Sequence, residues 1–127
     1  MANTTLNDYE IENITAALKH YVKEFSKTKD GQWLNDFDWE KIPVSLEILN
    51  GDVVGKYSFG KIILRECPEP KMIFATYVHE LRHRWQFVKK TLLFIIGKLI
   101  RPLIENDAYK MEAMADAWID SVALDKA

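Results

Sequence analysis

The stretch Tyr77-Val78-His79-Glu80-Leu81-Arg82-His83 decides how this chain is read. It holds the spacing His-Glu-x-x-His. On a helix, residues four apart lie on one face, one turn above the other. His79 and His83 can then aim two imidazoles at a single metal ion, with Glu80 beside them. Two neutral ring nitrogens suit zinc, and a neighbouring carboxylate suits a general base. The spacing predicts a zinc-dependent hydrolase, most often a peptidase.

The motif needs a helix, and the flanking residues provide for one. Cys67-Pro68-Glu69-Pro70 resets the chain, and proline is favoured in a first helical turn. A helix from Lys71 to about Lys89 then draws apolar faces from Ile73, Phe74, Tyr77, Val78, Leu81 and Trp85. Upstream, Val44, Leu46 and Ile48 alternate with Ser45, Glu47 and Leu49 as in a strand. Asn50-Gly51-Asp52 marks a turn. Tyr57 to Arg65 reads as a second strand with a bulge at Gly60. Asn7 to about Phe25 has helical spacing at Ile11, Ile14, Leu18, Tyr21, Val22 and Phe25, with Asn3 or Asn7 as N-cap. Ser26 to Gly31 reads as its exit, and Asn35-Asp36-Phe37-Asp38 as a loop. Thr91 to Arg101 is either a buried helix or a helix and loop around Gly97. A last helix runs from Leu103 or Ile104 to about Leu124. Helix, strands, then helices argue an α+β class. At 127 residues, positions 1–127 make one domain with one core.

Catalytic zinc commonly keeps three protein ligands and one open position. The third histidine, His20, lies far upstream and reads as a surface or internally satisfied residue. The last helix carries Glu105, Asp107, Glu112 and Asp116. Glu112 is the preferred third ligand, 29 positions after His83. Glu105, two turns earlier on the same face, is the runner-up. Asp116, one turn beyond Glu112, is placed to orient a ligand histidine through its outer nitrogen. The apolar neighbours Ala108, Met111, Ala115 and Trp118 bury part of this face, where unpaired carboxylates are costly.

His79, Glu80 and His83 followed by Glu112-x-x-x-Asp116 resemble the gluzincin metallopeptidases, among them the thermolysin-like and HtpX-type families. Glu112-Ala113-Met114-Ala115 is also similar to a segment of the ImmA-type peptidases. The resemblance spans roughly residues 57 to 120. It implies a minimal zincin-like domain: a short sheet whose edge strand binds extended peptide, an active-site helix, and a C-terminal ligand-bearing helix. It further implies that His79, His83 and Glu112 bind zinc and that Glu80 takes a proton from the zinc-activated water and delivers it to the leaving amine. Asp116 would support a ligand histidine. Thermolysin-like enzymes add a downstream histidine for the transition state, and no histidine follows His83 here. Tyr109, one turn before Glu112, is the first candidate for that stabilising role, ahead of Tyr77 and Arg82.

Bulk properties narrow the partners. The formal net charge of -2 does not favour nucleic acid, and Lys89-Lys90 is only a loose basic group. Cys67 is the single cysteine, which excludes an internal disulfide framework and suits a reducing, cytoplasmic compartment. No positive region followed by an apolar stretch opens the chain, so no signal peptide is expected. The apolar run Leu92 to Ile104 is too short and too charged to span a bilayer. It reads as core or cleft wall, with a peripheral membrane or oligomer contact as the alternative. The expected partner is a peptide or protein substrate, paired along the Tyr57–Leu64 strand. Two other functions stay open: a binding or regulatory protein on a zincin fold, and a non-peptidase zinc hydrolase such as an amidase.

Overall fold

In the computed structural model, residues 8–49, 51, 54–58, 60–67, 69–89 and 101–125 are described. Helix α1 covers Asp8–Phe25. Its buried positions Ile14, Leu18, Val22 and Phe25 keep the 3.6-residue period of one stripe. Two short 3-10 helices follow, Lys29–Asp36 and Trp39–Lys41. Thr28 caps the first by accepting from the Gly31 amide. Asn35 and Asp36, expected in a loop, lie inside that helix. The first tucks Leu34 into the core and the second tucks in Trp39.

Strands β1 (Val44–Glu47), β2 (Gly55–Ser58) and β3 (Lys61–Arg65) form one sheet in the order β1-β3-β2. β1 runs parallel to β3, and β2 runs antiparallel to it. The single strand expected over Tyr57–Arg65 is therefore a hairpin. Ser58 pairs with Lys61, so the chain reverses within two positions. Gly60 takes φ 74°, a left-handed conformation that glycine adopts without a Cβ clash. This corrects part of the peptide site expected along Tyr57–Leu64: Tyr57 and Ser58 lie on the edge strand β2, whereas Lys61 to Leu64 belong to β3. β3 is the central strand, its backbone groups already paired on both sides, so it has no edge to offer. β1 also ends at Glu47, which leaves Ile48 exposed rather than continuing the inward alternation.

Helix α2 (Pro70–Lys89) is the centre of the molecule. It is buried on more than one face: Ile73, Phe74, Tyr77, Val78 and Leu81 are all sequestered, and so are His79, Glu80 and Gln86. The sheet packs against it closely at Gly55. A Cβ there would stand 2.7 Å from Thr76 Cγ2 and 3.0 Å from Leu64 Cδ2, so only glycine fits. Phe25 and Phe74 meet edge to face, and Trp118 tilts against both. Helix α3 (Arg101–Asp125) takes Pro102 in its first turn, where a missing amide hydrogen is no loss. It buries Ile104, Ala108, Met111, Ala115 and Ile119. The arrangement is a small α+β domain. Positions 91–100, which include most of the apolar Leu92–Ile104 run, lie outside the described residues. Among the described residues, no helix is long and apolar enough to cross a membrane.

Candidate metal centre

α2 and α3 pair antiparallel, and the side-chain contacts between them define the register. Gln86 meets Ile104, His83 meets Glu105, Arg82 meets Asp107 and His79 meets Glu112. The fully buried Ala108 lies on the α3 face between Glu105 and Glu112. A side chain that small on this face takes up little of the space between the helices.

The two histidines do share a face, with ring centroids 4.9 Å apart. Their Nε2 atoms converge on one carboxylate oxygen. Glu105 Oε1 stands 3.1 Å from His79 Nε2 and 3.0 Å from His83 Nε2. The ligand atoms of His79, His83 and Glu105 all lie within 4.8 Å of one another. In a tetrahedral zinc site with bonds of ~2.0–2.1 Å, donor atoms sit about 3.3 Å apart. The two imidazole-to-carboxylate separations are close to that value, and two imidazoles with a carboxylate are an apt donor set. The residues present therefore fit a divalent metal. Burial raises the Glu105 carboxyl, but the imidazoles of His83 and His79 outweigh it and hold its pKa below the usual range.

Glu112, the third ligand expected from the sequence, comes instead to the other nitrogen of His79. Its Oε1 is 2.7 Å from Nδ1, an ion-pair distance. The approach is off the direction an N–H would serve, so Nδ1 counts as buried without a hydrogen-bond partner among the described residues. The contact is a close electrostatic approach rather than a formed hydrogen bond. Glu112 thus stands where Asp116 was expected, behind a histidine. Asp116 is exposed, one turn further along α3 and past the level of His79.

Glu80 is 6% exposed. Burial first, then the negative charges of Glu105 and Glu112, push its pKa up to about 8. A cation among these carboxylates would reverse the last two effects. Tyr109 is exposed, and its ring meets His79 edge to face at 4.7 Å. Tyr77 is fully buried, its hydroxyl without a hydrogen-bond partner among the described residues, and burial raises its pKa. His20 is exposed on α1 and takes no part.

Behind His83 lies a set of polar contacts that the His-Glu-x-x-His spacing does not signal. His83 Nδ1 lies 3.0 Å from Gln86 Oε1. Gln86 Nε2 donates to Ile104 O and to Asp107 Oδ2, both at 2.9 Å. Asp107 is gripped by the Arg82 fork at 2.7 and 3.1 Å. Burial raises the Asp107 carboxyl, and the hydrogen bonds from Arg82 and Gln86 bring it below its ordinary range. Arg82 lies over the Trp85 and Trp33 rings, 3.8 and 4.9 Å from their centroids. Gln86 follows His83 by three positions, the one sequence signal that it shares the histidines' side of α2.

No protein-family model matches this chain, and no curated protein or solved structure matches it either.

Proposed function

We propose that the chain is a metal-dependent hydrolase acting on peptide bonds, with zinc as the metal. The observation that carries this is the convergence of two Nε2 atoms, four residues apart on α2, on one Glu105 oxygen from α3. A carboxylate only accepts, and a neutral imidazole nitrogen without hydrogen does the same. With hydrogens on Nε2 the two rings donate to Glu105; with both nitrogens bare, three acceptors around one point suit a shared cation. His79, His83 and Glu105 would hold it. A zinc ion bound by three protein groups supplies Lewis acidity, polarising a carbonyl and lowering the pKa of water at its open position.

The chain's own groups do the rest. Glu80, adjacent to His79 and facing the carboxylates, accepts a proton from the attacking water and passes it to the leaving amine. Glu112 stands behind His79 and stabilises its orientation. Tyr109, beside the His79 ring and open to solvent, is positioned to donate to the developing oxyanion. The gluzincin resemblance supports a peptide substrate, and the outer edges of β1 and β2 could pair with an extended chain. Free Cys67 supports a reducing, cytoplasmic setting. A binding protein on the same fold is favoured by one observation: Glu80 is almost fully enclosed.

Elemental analysis of wild type, His79→Ala, Glu105→Ala and Glu112→Ala tests the ligand set. One zinc per chain is expected in wild type, lost in His79→Ala and Glu105→Ala, and retained with weaker affinity in Glu112→Ala. Zinc held by Glu105→Ala but not by Glu112→Ala would restore the ligand set read from the sequence. Glu80→Gln should keep zinc while losing turnover of a peptide library. A fully active variant would sink the general-base role, and a folded wild type without zinc would sink the enzyme reading.

A further inference from the structure

We propose that the end of the molecule where the chain passes from α2 to α3 docks on an anionic lipid surface. From Leu81 to Ile104 the sequence holds no Asp or Glu, so all 19 acidic residues lie outside this stretch. Within it stand Arg82, Arg84, Lys89, Lys90, Lys98 and Arg101. A chain of formal charge -2 thus contains one purely cationic stretch. Between the cations, every position from 92 to 100 except Gly97 and Lys98 is a large apolar residue. Cations on both sides of an apolar run suit a membrane interface. Their stems lie along the lipid while their charged heads reach the headgroups. The run is too short and too charged to span a bilayer, so it would lie on one.

The two helix ends carry a second observation, independent of the sequence pattern. From Ile73 to Gln86, α2 stays buried or half-buried, and then it surfaces. Phe87 and Val88 are each 41% exposed, and Lys89 is exposed. The Arg84 guanidinium lies over the Phe87 ring, 5.4 Å from its centroid, so a cation and an exposed aromatic ring share one spot. On α3, Pro102 is exposed and Ile104 is buried. Gln86 Nε2 donates to Ile104 O at 2.9 Å and ties the two helices together at this level. The chain therefore leaves α2 and enters α3 at one place on the surface, where exposed apolar side chains and cations meet.

Charge favours lipid over a second copy of this chain. A two-fold contact sets one patch against itself, which would oppose two cationic stretches with no acid to offset them. Anionic headgroups complement them instead. Arg82 takes no part, because it holds both oxygens of Asp107. The proposal does not rest on the metal-dependent activity proposed above.

The test is sedimentation of the full chain with two kinds of vesicle, at low and at high salt. One kind is phosphatidylcholine alone, and the other contains roughly a quarter phosphatidylserine. Expected is partitioning about tenfold or more stronger onto the phosphatidylserine vesicles, falling toward the neutral-vesicle level in high salt. Lys89→Glu with Lys90→Glu should lose most of that preference. Phe87→Ser with Val88→Ser should weaken binding to the same vesicles by about tenfold. No binding by wild type, equal binding to the two kinds of vesicle, or unchanged binding by either folded variant would overturn the proposal. The wild-type comparison decides even where a variant does not fold. Sedimentation equilibrium without lipid covers the other occupant. A dimer that Phe87→Ser with Val88→Ser dissociates would assign this surface to a second copy and overturn the lipid reading.

Discussion

Glu80 shows how one side chain carries both a cost and a use. In the metal-free protein, burial, then the charges of Glu105 and Glu112, push its pKa up to about 8, above the ordinary 4.5. Folding therefore favours its protonated form. That stability is fully present below about 4.5 and is lost as pH rises through about 8. Thermal melts in chelator should show stability falling across this window by on the order of a few kcal/mol. Glu80→Gln should flatten that fall and be the more stable protein at high pH. An equal fall in the variant would mean that another group carries it. His79, Glu80 and His83 were legible in the sequence because helical periodicity alone puts two histidines on one face. The choice between Glu105 and Glu112 was not legible. Seven residues apart, they lie on the same stripe of α3, and no pattern within one helix separates them.

The pairing of α2 with α3 makes that choice. Their antiparallel register puts Glu105 level with the Nε2 atoms and Glu112 level with His79 Nδ1. Ala108 is fully buried on the face of α3 that carries both carboxylates, so a larger side chain there has no room. Ala108→Leu should force the helices apart, with a loss of about 1–3 kcal/mol in chemical denaturation and no zinc retained. Retention of both would show that another contact sets the spacing. Asp107 locks the same register. Its folded pKa is depressed, so its contribution is present above the ordinary aspartate value near ~3.9 and is lost as pH falls through the lower folded value. Asp107→Ala would strand Arg82, whose side chain is only 11% exposed. The expected loss at neutral pH is about 1–3 kcal/mol, shrinking as the wild type is acidified. A variant equal to wild type at neutral pH would refute the lock. The hairpin at Gly60 went unrecognised for a related reason: one glycine within an apolar run serves a bulge or a turn equally well, and pairing with β1 made β3 central.

Across the whole molecule, α2 is enclosed by the sheet, α1 and α3, so the candidate centre is built into the core. A metal bound there couples directly to folding. Free zinc at about 100 times its dissociation constant should add ~2.7 kcal/mol of stability and raise the melting temperature, and chelator should reverse the change. His83→Ala should show no such response. A melting temperature indifferent to zinc in wild type would indicate that the cluster holds only protons. The aromatic packing of Phe25, Phe74 and Trp118 ties α1, α2 and α3 together independently of that centre. The metal-free chain is thus expected to stay folded.

Local rules read along the chain determined the α+β class, the three long helices, β1 and the two histidines of the centre. Each depends on periodicity or turn chemistry within a few residues, where backbone geometry ties spacing to direction. The tertiary structure alone decided that Glu105 faces the histidines, that Glu112 stands behind His79, that Asp116 is exposed, and that Gln86, itself bonded to Asp107, meets His83. These depend on the register and separation of α2 and α3, which follow from side chains brought together across more than twenty residues of intervening chain. Spacing within one helix carries no information about how far a second helix slides along it.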